Sequence, residues 1–216
     1  LLLKGPTGNV VVDCTPDFRG QMLRENVLDL EAAIITHTHA DHIMGMDDLR
    51  SYSLKSKLPV PVYSLPCYLD DIRRVFPYAF GDFPPGVEVP RFELITIPDV
   101  LHLGGLELHI FVVDHGPLPC IALRVGDFAY ITDVSQIPSP VMDAMRGLDC
   151  LILDAVRYKP HPNHFHFEKA IEVAQEIGAQ TTYFTHLSHD YHHPEVNAAL
   201  PAGINLAYDG LRIPLM

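Results

Sequence analysis
Apolar residues fall along this chain in short blocks, and the spacing within each block distinguishes strand from helix. Residues 1–4 (LLLK) and 9–13 (NVVVD) read as two short strands around the turn Gly5-Pro6-Thr7-Gly8. Residues 19–30 predict a helix, 32–36 (AAIIT) a short apolar strand, and 43–54 a second helix. A strand over 60–64 and a short helix over 68–75 follow. The stretch 77–90, rich in Pro, Gly and aromatics, is expected as an ordered excursion over the surface rather than a linker. From 92 to 133 the pattern is mainly β, with strands over 92–97, 106–114, 120–125 and 128–132. Then come a helix over 140–145, a strand over 151–154 and an amphipathic helix over 167–177 with apolar residues at 3–4 spacing. A strand over 182–185, a short helix over 194–200 and short extended pieces at 204–207 and 211–214 close the chain. There is no repeat, low-complexity stretch or linker. Strands interleaved with helices, in the same order twice, suggest an α/β fold of two sheets packed together with helices outside.

Composition adds limits. At 216 residues, 48% hydrophobic and 19% charged, the chain suits one domain, 1–216, with ample apolar material for a core. No apolar run reaches the roughly 18–20 residues that span a bilayer. Leu1-Leu2-Leu3 reads as a strand entered midway, so the natural chain is expected to begin upstream. A formal net charge of −12 repels nucleic-acid backbones and anionic membranes unless a local basic patch or bound metal reverses the field. Cys14, Cys67, Cys120 and Cys150 form no CxxC pair. Three lie in apolar surroundings and Cys67 in a Pro-flanked turn, which reads as free thiols in a reducing cytoplasm.

The chemistry concentrates at the end of the strand 32–36, before the helix expected from residue 43. There His37-Thr38-His39-Ala40-Asp41-His42 places four potential ligands within six positions. Imidazole and carboxylate are the ligand types expected for zinc, manganese or iron(II). Side chains two apart in an extended loop point the same way, so His37 and His39 can share one ion. Asp41 and His42, at the helix start, can turn toward a second.

HxHxDH after a short apolar strand resembles the signature of the metallo-β-lactamase superfamily, and further motifs appear in order: Asp13 closing NVVVD, His115 ending IFVVD, Asp133 in YITD and His186 in YFTH. The resemblance implies a four-layer αββα sandwich with a two-metal site at one edge. It implies that His37, His39 and His115 hold one divalent ion, that Asp41, His42 and His186 hold the other, and that Asp133 bridges them. Zinc or manganese is the expected pair, with iron a further option, and a bridging hydroxide is the implied nucleophile. Asp13 would orient a ligand histidine, or it is simply a carboxylate in a strand-end turn.

Segments such as Asp13-Cys14-Thr15-Pro16, Asp47-Asp48-Leu49-Arg50 and Ala207-Tyr208-Asp209-Gly210 resemble the PhnP-like and tRNase Z-like branch. That branch implies phosphodiester cleavage and marks Asp41 and His164 as catalytic. His164, 22 residues before His186, would be the general acid; a loop histidine without a role is the alternative, with His161 and His166 close by. His189 matches a position that in PhnP-like proteins joins three upstream cysteines around a structural zinc, and this sequence shows no such cysteine cluster. His192 and His193 are expected in an exposed turn, and His102 and His109 on surface strand positions. The expected activity is hydrolysis of a small phosphodiester, cyclic ones included. A thioester or lactone hydrolase with the same metals is the main alternative, and a non-hydrolytic redox module a remoter one. The expected partner is the small-molecule phosphodiester alone. Nucleic acid and membrane are not expected, and homodimerisation stays open.

Overall fold
The computed structural model describes residues 1–84 and 86–214. Contacts divide the chain into two compact units, Leu1–Glu107 and Leu108–Met216. In the first, β1 (Leu2–Lys4), β2 (Asn9–Val12), β3 (Ala32–Ile34), β4 (Val60–Ser64) and β5 (Phe92–Thr96) form a five-stranded sheet in that order. β1 pairs antiparallel with β2, and every later neighbour is parallel. The inner strands β2 and β3 are buried almost throughout, as their unbroken runs of Val, Ala and Ile require of parallel strands covered on both faces. Phe18, Ile35, Met46, Leu49 and Ile72 belong to this unit's own core.

The second sheet has seven strands in the order β12-β11-β10-β9-β8-β7-β6. These are β6 (Val100–Leu103), β7 (Leu106–His115), β8 (Leu118–Val125), β9 (Phe128–Ile131), β10 (Cys150–Asp154), β11 (Thr181–Thr185) and β12 (Ile204–Leu206). β7, β8 and β9 run antiparallel, whereas β9 to β12 are mutually parallel neighbours, so this sheet is mixed as well. The helix Phe167–Ile177 (α6 in chain order) buries Ala170, Val173, Ala174 and Ile177 at helical spacing. It stops at Gly178, whose φ of 71° is the left-handed conformation that a glycine C-terminal cap provides.

Several expected elements differ. The helix expected over 43–54 is broken into α2 (Ala40–Ile43), a 3-10 turn (Met46–Leu49) and α3 (Arg50–Ser56). Gly45 sits between the pieces because a Cβ there would overlap the carbonyl of Thr15 and press on Phe18 Cβ at 2.6 Å. The helix expected over 19–30 is only Phe18–Arg24, α1; after the capping residue Glu25, Asn26 takes a left-handed φ of 51°. β6 was not expected, and 211–214 pairs with nothing as a strand among the described residues. Cys67 lies in the first turn of α4 (Pro66–Val75), not in a turn between elements. The stretch 77–90 is mostly irregular, and Pro85 within it lies outside the described residues. So do residues 215 and 216 at the end of the expected domain. The remaining helices are α5 (Ser139–Ala144) and α7 (His193–Ala199). No described helix is long and apolar enough to cross a membrane.

Candidate functional site
Many of the chemistry-bearing residues sit at or just past the carboxyl ends of strands, parallel ones for Asp13, His37, Asp133, Asp154 and His186 and the antiparallel β7 for His115. Open α/β sheets place function there, because loops and helix starts converge at that edge. In the first unit Val12 pairs with Ile34, so Asp13 emerges level with the end of β3. The Thr36 backbone N–H donates to Asp13 Oδ1 and the Thr36 hydroxyl to Asp13 Oδ2, both at 2.8 Å. His42 donates its Nδ1–H to Asp13 Oδ2 at 2.7 Å. The Thr36 hydroxyl proton is spent on Asp13, so its oxygen accepts from His37 Nδ1 at 3.2 Å. His37 Nε2 therefore presents a lone pair, 2.9 Å from His39 Nδ1. Asp41 Oδ2 lies 3.4 Å from His42 Nε2. His37 and His42 are buried, while His39 and Asp41 are exposed. A single anchor, Asp13, thus sets the ring of His42 directly and that of His37 through Thr36.

The second unit gathers its own set. Leu153 pairs with Ile131 and Asp154 with Thr185, so register alone brings Asp133, Asp154 and His186 to one end of three adjacent strands. His115, at the end of β7, donates Nδ1–H to the carbonyl of Asn163 at 2.8 Å, and its Nε2 lies 3.9 Å from Asp133 Oδ2. His186 Nε2 is 3.6 Å from the same oxygen. Asp133, His164 and His186 together offer ligand atoms within 4.8 Å of one another. The Thr132 hydroxyl donates to Asp133 Oδ1 at 2.7 Å. His164 stacks on His186, ring centroids 4.9 Å apart, and its Nδ1 lies 2.9 Å from Asp154 Oδ2. Asp154 is fully buried and also accepts from the Val134 backbone N–H. Burial pushes its carboxyl above the ordinary carboxylate range, and the hydrogen bond from His164 works against that shift.

These side chains suit divalent cations. In His37, His42 and His115 the Nδ1–H is committed to an oxygen acceptor, which leaves the Nε2 lone pair as the donor for an ion. Their neighbours Asp133, His39 and Asp41 add carboxylate and imidazole, the donor types for zinc or manganese. Backbone strain marks the same places: Asp13, Asp133 and His186 have φ of 62°, 48° and 58°, three of the five non-glycine residues described with positive φ. Such conformations persist where surrounding contacts hold them, typically at functional sites.

Asp154 escaped sequence reasoning, although it closes the all-buried strand β10 just as Asp13 and Asp133 follow the ends of theirs. Of the other histidines, His161 lies 4.8 Å ring to ring from His164 and accepts from the Asn163 N–H, and desolvation lowers its basicity. His166 is the residue before α6. His189 is almost wholly exposed beside Asp190. His192 pairs with Glu195, but His193 opens α7 and reaches the carbonyl of Ala207, so it is no free turn residue. His102 is exposed next to Glu107, and His109 lies partly buried on β7.

The profile of the beta-lactamase superfamily domain matches residues 8–187. A solved structure described as a new diphosphatase from the PhnP family is 38% identical, with a TM-score of 0.91 over 100% of this chain and 83% of that one. An octanoyltransferase of Porphyromonas gingivalis is 33% identical across 98% of this chain, which spans only 43% of that protein. A hydroxyacylglutathione hydrolase of Francisella tularensis is 26% identical over 95% of this chain and 80% of its own length. Two mixed sheets with their helices, motifs in order and the breadth of these matches agree on one origin: the chain belongs to the metallo-β-lactamase superfamily, has its α/β sandwich fold, and is similar to the PhnP branch.

Proposed function
We propose that the chain is a two-metal hydrolase of small phosphodiesters, with Asp133 serving both ions, His37, His39 and His115 completing one site and Asp41, His42 and His186 the other. Family membership and the Nε2-out setting of three of these imidazoles support that assignment. Zinc or manganese suits the donor set, with iron a further option. When bound, such ions supply an activated water and offset charge on the non-bridging phosphoryl oxygens. The chain's own residues hold and move protons around them. Asp13 keeps His42 in one tautomer, and Asp154 accepts from His164 Nδ1, leaving Nε2 as the nitrogen from which the imidazolium would deliver a proton.

The Asp154–His164 pair is the observation that carries this reading. An alkoxide leaving a phosphodiester is a poor leaving group and gains from a positioned acid. A thiolate, whose conjugate acid has a pKa near 8.5, departs without one. The 38% identity to the PhnP-family diphosphatase also favours phosphorus as the electrophile. The second reading, a thioester or lactone hydrolase, draws on the names of the Francisella and Porphyromonas relatives.

A panel of bis(p-nitrophenyl) phosphate, 2′,3′-cyclic nucleotides and acyl thioesters, assayed with added Mn²⁺ or Zn²⁺, separates the two. Phosphodiester turnover is expected to dominate. His164→Ala should lower kcat on the cyclic nucleotide by ~10²–10⁴-fold and on the p-nitrophenyl ester far less, since that phenolate leaves unaided. Dominant thioester turnover that ignores His164→Ala would establish the second reading instead.

A further inference from the structure
We propose that Gly116 and Asn163 form a positioning device that locks the ligand histidine His115 to the loop bearing His164; the proposal rests on the assignment of those two histidines given above. The Asn163 carbonyl accepts from His115 Nδ1 at 2.8 Å. A carbonyl can only accept, so His115 must carry its proton on Nδ1 and keep Nε2 bare toward Asp133. The next residue, Gly116, lies beneath the Asn163 side chain. An added Cβ there would stand 2.7 Å from Asn163 Cγ and closer still to its Oδ1. Gly116 also has a left-handed φ of 59°, and its N–H donates to Ser135 Oγ, which in turn donates to the Asp114 carbonyl.

The loop is tied down further. The Phe165 N–H donates to the Val134 carbonyl at 2.7 Å, beside Asp133, and His164 holds Asp154, which takes the Val134 N–H. Asn163, His164 and Phe165 therefore grip, in consecutive positions, the ligand His115, the buried Asp154 and the strand exit after Asp133. Only the first of these ties borders a glycine, because the Asn163 side chain lies directly against Gly116 in the turn after β7. A side chain at 116 would lift Asn163 away, freeing the His115 ring to change tautomer and displacing His164 in the same movement.

Four variants test this: Gly116→Ala, Gly116→Asn, Asn163→Ala and the double variant Gly116→Ala/Asn163→Ala. Asparagine tolerates left-handed backbone better than alanine, so Gly116→Asn keeps the added Cβ with less strain. Asn163→Ala removes the atoms the Cβ would meet and leaves the main-chain carbonyl in place. Long-range ¹H–¹⁵N spectra of the imidazoles report the His115 tautomer, and competition with a chelator reports ion retention. Both single Gly116 variants should lose the pure Nδ1–H form and hold Mn²⁺ or Zn²⁺ ~10–100-fold more weakly, as loss of a histidine's outer partner typically does. Their kcat should fall more on a cyclic nucleotide than on a p-nitrophenyl diester. Asn163→Ala keeps the main-chain carbonyl, so it should retain the His115 Nδ1–H form, and the double variant should regain that form and its ion retention relative to Gly116→Ala. A double variant as impaired as Gly116→Ala would place the effect in backbone strain and overturn the proposal. So would Gly116 variants with parental tautomer and ion retention. If the parent enzyme cleaved no phosphodiester, the functional reading would fall, while tautomer and ion retention would still decide this one.

Discussion

Asp154 does at residue scale what a buried, uncompensated carboxylate could not do. Leaving it charged and unpartnered in the interior would be costly, and the His164 imidazole and the Val134 N–H supply the partners. The pair costs His164 its rotational freedom and gives it a fixed direction. Asp154→Asn keeps the size of the side chain and removes its charge. It should reduce turnover of a cyclic nucleotide about 10–100-fold, with a smaller loss on a p-nitrophenyl diester. Equal losses on the two substrates would show that Asp154 only supports the fold. Asp133 is a different case, since three histidines, His115, His164 and His186, approach one of its oxygens at 3.9, 3.9 and 3.6 Å. Asp133→Ala is expected to lower the metal content of protein purified without chelator, read by elemental analysis. Retention of two ions per chain with full activity would refute its shared role.

At the scale of elements, strand ends and the short helix α2 carry many of the candidate residues. The strands β2, β3, β9, β10 and β11 were visible as short runs rich in β-branched, aromatic and other apolar residues, and their observed bounds differ from expectation by one or two positions. The helix that was expected as one piece over 43–54 breaks because Gly45 packs against the Thr15 carbonyl, a contact that no periodicity signals. Capping at α6 is better behaved. Gly178 at φ 71° has nothing nearer to its missing Cβ than the Gln175 carbonyl at 3.8 Å, so substitution there isolates the conformational term. Gly178→Ala should destabilise the protein by about 1–2 kcal/mol in urea unfolding, and Gly178→Asn by less. An unchanged midpoint for Gly178→Ala would mean that α6 can end in another conformation.

For the whole molecule, each compact unit has its own hydrophobic core, and the proposed ligand set draws on residues from both units. Ligands that bind only the folded state stabilise it by mass action, by about 2.7 kcal/mol at a hundredfold excess over Kd. Exhaustive treatment with a chelator should therefore lower Tm, and restoring Mn²⁺ or Zn²⁺ should return it; scanning calorimetry on both forms reads the shift. Unfolding of the loaded protein as one transition would support a single domain across residues 1–216. Two transitions, with only one moved by metal, would place the ions within one unit and break the proposed ligand set. The acidic surface, −12 in formal charge, fits a small substrate whose phosphate is met by bound cations rather than by a basic protein face.

By itself the sequence determined the class of fold and the chemistry-bearing motifs, because apolar runs specify strands locally and because HxHxDH crowds its donors into six consecutive positions. Its resemblance to the PhnP-like branch also marked His164 as a candidate acid, but could not say what would orient it. Tertiary structure alone decided that partner: Asp154 meets His164 where the loop after β10 folds back on Val134, whose carbonyl accepts from the Phe165 N–H while its own N–H donates to Asp154. Structure also decided the tautomers. A histidine's bare nitrogen depends on which oxygen meets the other one, and the Asn163 carbonyl that sets His115 comes from 48 residues away. Local pattern encodes which groups are present; their protonation and aim are set by neighbours that the chain meets only once it is folded.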